Sequence, residues 1–120
     1  MTAATPAPWF QLRFALASAA VELDGEGGVR AYIEAHPDMV GLTAAICEAA
    51  RRQFGPDASL LLRLYRDPEV EDAYLVLSVR LNQYGPDTLS RIRSVSDGFD
   101  SDLCNASGSI LVTTDFRPLR

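Results

Sequence analysis

The chain has 120 residues, of which 48% are hydrophobic, 22% charged and 8% aromatic, a size that suits one domain whose core needs no metal or disulfide for stability. Its 16 acids and 11 bases give a formal charge of −5, and every base is arginine. This balance excludes membrane spans, collagen-like and disulfide-rich scaffolds, basic tails and lysine chemistry, and it disfavours a broad electrostatic grip on nucleic acid or anionic lipid.

Residues 1–8 (MTAATPAP) are small, polar and proline-containing and are expected to form a flexible N-terminal arm. No basic region precedes a long apolar run, so a signal peptide is not expected. Residues 9–120 are then a single domain. Trp9, Leu12, Leu16, Ala19, Ala20 and Leu23 recur at three-to-four-residue spacing, which predicts an amphipathic helix to about Leu23, stopped by Asp24-Gly25-Glu26-Gly27-Gly28. A short helix follows over Val29–His36 and ends at Pro37. A third runs over Met39–Phe54, with Asp38 expected as its N-cap and Gly55-Pro56 as its stop.

The periodicity then becomes two. Leu60, Leu62 and Leu64 alternate with Leu61, Arg63 and Tyr65, and Leu75, Leu77, Val79 and Leu81 alternate with Tyr74, Val76, Ser78 and Arg80. The six residues Asp67–Asp72 (DPEVED) between them predict an antiparallel hairpin. Asp87 is expected to cap a helix from Thr88 to about Asn105, although Gly98 weakens its interior. Ser107-Gly108 breaks the chain before a third strand, Ser109–Phe116. The long helix between the second and third strands allows a parallel crossover. The expected fold is α+β, a two-layer sandwich of N-terminal helices then β-β-α-β with a small mixed three-stranded sheet.

Cys47 and Cys104 fall in predicted helices far apart in sequence and read as small core residues in a reducing cytoplasm. A disulfide requires the two helices to lie side by side. The glycines Gly25, Gly27 and Gly28 lack the preceding strand and the Lys of a phosphate loop, and read as a connecting turn. His36, the only histidine, sits in a helix's last turn, where capping or surface packing is the default role. A Cys47–His36 pair would set the thiol in mid-helix, away from the helix start that lowers a thiol's pKa. The acids Asp67, Glu69, Glu71 and Asp72, with Asp97, Asp100 and Asp102, are the only oxygen-rich groups that suggest a cation, and they lack the calcium-loop pattern. A solvated hairpin tip explains the first group equally well. No cofactor and no catalytic residue is assigned.

The second face of the hairpin is more unusual, because it presents Leu61, Arg63, Tyr65, Tyr74, Val76 and Arg80. Tyrosine and arginine are enriched at protein interfaces and also stack on bases in single-stranded RNA binders. Three readings follow: an ordinary half-exposed sheet or one covered by the N-terminal helices, a surface for a protein partner or a homodimer, and a nucleic-acid platform that the negative charge disfavours. Arg117 and Arg120 follow the last strand and are candidates for a tail that enters an acidic pocket, or for simple solubilising groups.

The stretch Ala58–Leu81 (ASLLLRLYRDPEVEDAYLVLSVRL) with Gly108–Leu119 (GSILVTTDFRPL) resembles a family of small uncharacterised bacterial proteins that carry LYRDPE…YL…VR and end in TTDFRP. The resemblance spans roughly residues 29 to 119, and such proteins look like companions of PIN-domain ribonuclease toxins. It implies an antitoxin-like partner that neutralises a carboxylate-rich, metal-binding nuclease site, with Arg117 and Arg120 as blocking groups. No basic DNA-binding element accompanies it here. The function expected is therefore a non-catalytic protein-binding module with partner-binding residues Arg63, Tyr65, Tyr74, Arg80, Arg117 and Arg120. The alternatives are a small metal-dependent enzyme using the DPEVED acids and an RNA-binding sheet.

Overall fold

The computed structural model describes residues 7–67, 69 and 72–114. Its elements are α1 (Pro8–Ser18), β1 (Val21–Asp24), α2 (Glu26–Ala35), α3 (Met39–Phe54), β2 (Ser59–Asp67), β3 (Asp72–Arg80), α4 (Thr88–Asp97), α5 (Asp100–Asn105) and β4 (Ile110–Thr113). The class is α+β as the sequence implies, but the described sheet has four strands instead of three, in the order β1-β2-β3-β4. β1 pairs parallel with β2, β2 antiparallel with β3, and β3 parallel with β4. The hairpin and the parallel return after the last helices are as expected.

The extra strand comes from the end of the predicted first helix. α1 stops at Ser18, and Ala20 takes a left-handed φ of 55°, a conformation that costs a non-glycine residue about 1–2 kcal/mol. Val21-Glu22-Leu23-Asp24 then runs extended, with Val21 opposite Leu60 and Leu23 opposite Leu62. The helical spacing of Ala19, Ala20 and Leu23 is thus fortuitous. Arg51 of α3 supports the turn: its Nε donates to the Ala19 carbonyl at 2.8 Å and its Nη2 to that of Ala20 at 3.0 Å, while Nη1 donates to Gly55 at 2.9 Å and Ala58 at 2.6 Å. One guanidinium therefore closes the carbonyl ends of α1 and α3 and the approach to β2.

α3 keeps its predicted bounds. Gly55 has φ 80° and donates its N–H to the Arg51 carbonyl, the positive-φ helix end that glycine allows. Asp38 and Asp87 do not cap as expected, for neither side chain bonds the helix that follows it. The long helix after Asp87 divides at Gly98-Phe99 into α4 and α5. Pro8 already opens α1, so of the expected arm only residues 1–6 lie outside the described residues.

One face of the sheet carries Val21, Leu60, Leu62, Leu75, Leu77, Val79, Ile110 and Val112, and the helices cover it with Trp9, Leu12, Leu16, Val29, Ile33, Met39, Ile46, Ile92 and Val95 in one continuous core. Two further arginines join helices over this core. Arg91 of α4 donates to the Gln53 carbonyl at 2.8 Å and lies 4.7 Å from the Phe54 ring centroid, and Arg30 of α2 lies 5.7 Å from that of Phe10. Among the described residues no helix is long and apolar enough to cross a membrane.

Candidate functional site

Strand pairing fixes which side chains share the face opposite the helices, because paired residues point the same way and alternate along each strand. Tyr65 pairs with Tyr74, Arg63 with Val76 and Asp24, Leu61 with Ser78 and Glu22, and Arg80 with Ser59. The hairpin candidates Arg63, Tyr65, Tyr74 and Arg80 therefore lie on one face. They do not form one cluster. The Tyr65 and Tyr74 rings are 5.2 Å apart and tilted by 39°, and Arg63 stands two residues along the same strand. Arg80 lies at the other end, about 20 Å from the Tyr65–Tyr74 row by the rise of a strand. It also has a bonding partner of its own.

Leu61, Val76 and Ser78, between these ends, are 7%, 3% and 3% exposed, and Leu61 and Val76 stand outside the core on the helical face. Tyr65 at 38% and Leu111 at 48% are open. Arg63 is half-buried and has no ion pair among the described residues. Pro68, Val70 and Glu71 of the acidic loop, and the terminal residues that include Asp115, Arg117 and Arg120, lie outside the described residues. Among the described residues no group of three His, Cys, Asp or Glu side chains could hold a metal ion.

The cysteines separate. Cys47 is buried in α3, where loss of solvation pushes its thiol up to about 12, so it is no thiolate at neutral pH and no nucleophile for His36 to activate. Cys104 is exposed on α5, not in the core, and both thiols are free.

His36 ends α2, but its side chain reaches across the chain. Its Nδ1 lies 2.9 Å from Ser107 Oγ. That hydroxyl donates a short hydrogen bond to Asp38 Oδ1, and the Ser107 N–H donates to Asp38 Oδ2 at 2.7 Å. These bonds hold the Asp38 carboxyl below its ordinary value, with the nearby His36 charge adding in the same sense. The polarity differs from that of a hydrolytic triad. A carboxylate only accepts, so the Ser107 proton points to Asp38 and His36 Nδ1 is the donor to Ser107. Ser107 is thus a latch between the α2–α3 turn and the approach to β4, not an activated nucleophile.

Beside the latch, Tyr32 Oη accepts the Ser109 N–H at 2.8 Å, and the Tyr32 ring lies 4.5 Å from that of His36. A Cβ on Gly108 would come within 2.6 Å of Tyr32 Oη and 3.0 Å of Met39 Cγ, so only glycine allows this approach. Tyr32, Asp38 and Ser107 carry no signal of this contact in the sequence, because the partners are 69 to 77 residues apart and no local spacing joins them.

No protein family, curated protein or solved structure matches the chain. The resemblance to companions of PIN-domain nucleases rests on the motif residues alone.

Proposed function

We propose that the chain is a non-catalytic protein-binding module whose contact surface is the Arg63, Tyr65 and Tyr74 end of the sheet face opposite the helical core. The observation that carries this reading is the register: a tyrosine pair and an arginine with no ion pair among the described residues share the sheet face opposite the helical core. Tyrosine supplies large contact area at low entropic cost, and arginine a rigid fork of donors for carboxylates. Leu111 extends the patch with an exposed aliphatic side chain.

The partner we propose is a PIN-type ribonuclease neutralised in an antitoxin-like manner in the cytoplasm, as the LYRDPE…TTDFRP resemblance implies. Its carboxylate-lined site is the kind of surface that Arg63 and, on this reading, Arg117 and Arg120 would meet. The test is co-expression with the product of the neighbouring gene, followed by co-purification and titration. Arg63→Glu combined with Tyr65→Ala is expected to weaken the complex by at least about tenfold, the effect of losing one interface anchor, with thermal stability retained. An unchanged complex, or no association at all, overturns the reading. Sedimentation of the chain alone decides whether the same face instead takes a second copy.

A further inference from the structure

A cleft of about 460 Å³ opens between the last turn of α2, the end of β2 and the segment that leads into β4. Its polar walls are Tyr32, His36, Arg66, Ser107 and Ser109. It is separate from the proposed contact surface, since Arg66 pairs with Ala73 and points to the opposite face of the sheet from Tyr65 and Tyr74.

The polar groups of this cleft are set in advance. Arg66 is exposed, and its guanidinium has no ion pair or hydrogen bond among the described residues, which leaves a planar fork of donors available. His36 is held by its Nδ1 contact to Ser107 and by the Tyr32 ring, so Nε2 is the nitrogen left to meet a ligand. Tyr32 accepts the Ser109 N–H and keeps its own phenolic proton to donate. No carboxylate is among the described lining residues. Asp38 bonds Ser107 but borders a different cleft, with Asp102 and Asn105. Gly108 keeps the loop pressed on Tyr32, as its missing Cβ requires.

A cavity walled, among the described residues, by a guanidinium without an ion pair, an oriented imidazole and hydroxyls, and by no acid, suits a negatively charged oxygen group. We propose that this cleft binds an oxyanion, the carboxylate or phosphoryl group of a small molecule, between Arg66 and His36. Arg66 supplies the charge and a bidentate contact. His36 Nε2 accepts from a protonated ligand oxygen or, once protonated, donates to an ionised one. Tyr32 and Ser109 fix the orientation.

The experiment is an NMR titration of the full chain with inorganic phosphate in one arm and acetate in the other, at constant ionic strength against a chloride control. The expected result is a saturable shift of the His36 ring signals and of the Ser107 and Ser109 amides, in the phosphate arm for a phosphoryl site, in the acetate arm for a carboxylate site, or in both for an unselective one. Arg66→Gln should weaken that binding at least about tenfold, as loss of a charge-assisted bidentate contact does. Arg63→Gln, on the other face, should leave it unchanged. Arg66 is exposed, so its substitution should leave the thermal midpoint in place and the titration interpretable. If neither anion shifts these signals beyond chloride, or if Arg66→Gln titrates like the parent chain, the proposal is wrong.

Discussion

Replacing Arg51 by Met keeps most of the aliphatic stem and removes the guanidinium that serves four carbonyls, those of Ala19, Ala20, Gly55 and Ala58. Hydrogen bonds to a charged group contribute about 1.5–3 kcal/mol each when well buried, but this site is only partly so. The bond to Ala20 is exposed, and water replaces it at small cost. The other three are part-buried, and at about 1 kcal/mol each the loss is about 3 kcal/mol. For a chain of this size that lowers the thermal midpoint by about 10 °C. Arg51→Lys recovers little, because an ammonium presents its three donors from one point and cannot span acceptors on three segments. Urea unfolding followed by the fluorescence of Trp9, buried in the core at the start of α1, measures the effect. A change within about 0.5 kcal/mol, the range of an ordinary surface substitution, would refute the reasoning.

Thr43 is fully buried in α3, and its hydroxyl has no hydrogen-bond partner among the described residues. Thr43→Val removes an unsatisfied group with little change of shape and should stabilise the fold by about 1 kcal/mol in the same unfolding assay. Gly108→Ala should destabilise by about 1–3 kcal/mol, because the new Cβ must displace the Tyr32 hydroxyl and Met39. The Asp38 carboxyl is held below its ordinary 3.8 chiefly by the Ser107 hydroxyl and N–H. A carboxylate with a depressed folded-state value adds stability above the unfolded value and loses it as pH falls through the folded one. Ser107→Ala should therefore be less stable than the parent chain at neutral pH, and the gap should narrow as unfolding is measured at pH values falling below 3.8; a gap that does not narrow argues against the latch.

The parts of the fold legible in the sequence are those that short-range chemistry decides. α3 begins after Pro37 and ends at Gly55-Pro56 because proline and a positive-φ glycine act on their immediate neighbours. The hairpin is visible because alternation persists along both strands. β1 was not legible, although Val21-Glu22-Leu23-Asp24 does alternate, because four residues are too few to outweigh the alanine-rich helical pattern before them. What turns the chain there is Arg51, about thirty residues away, and what makes the segment a strand is pairing with β2. The division at Gly98-Phe99 had a local cause, the glycine whose low helix propensity the sequence already shows.

The same distinction applies to the arginines. Composition marks them as the chain's only cationic side chains, but it cannot separate those spent on the fold from those free for contact. Arg51, Arg91 and Arg30 serve as staples over the helices. Arg52 and Arg93 are exposed on helices, where a solvated charge needs no further role. Arg63 and Arg66 differ from both groups. They lie three residues apart on β2, so strand alternation sends them to opposite faces, one toward a tyrosine pair and the other into a cleft with His36 and Tyr32. Strand parity is readable in the sequence, which is why the Arg63 face was. The cleft was not readable, because α2 and the approach to β4 meet Arg66 only through the tertiary fold. A surface built by one hairpin and a pocket built by three distant segments are therefore tested by different substitutions, and the outcome at Arg63 leaves that at Arg66 undecided.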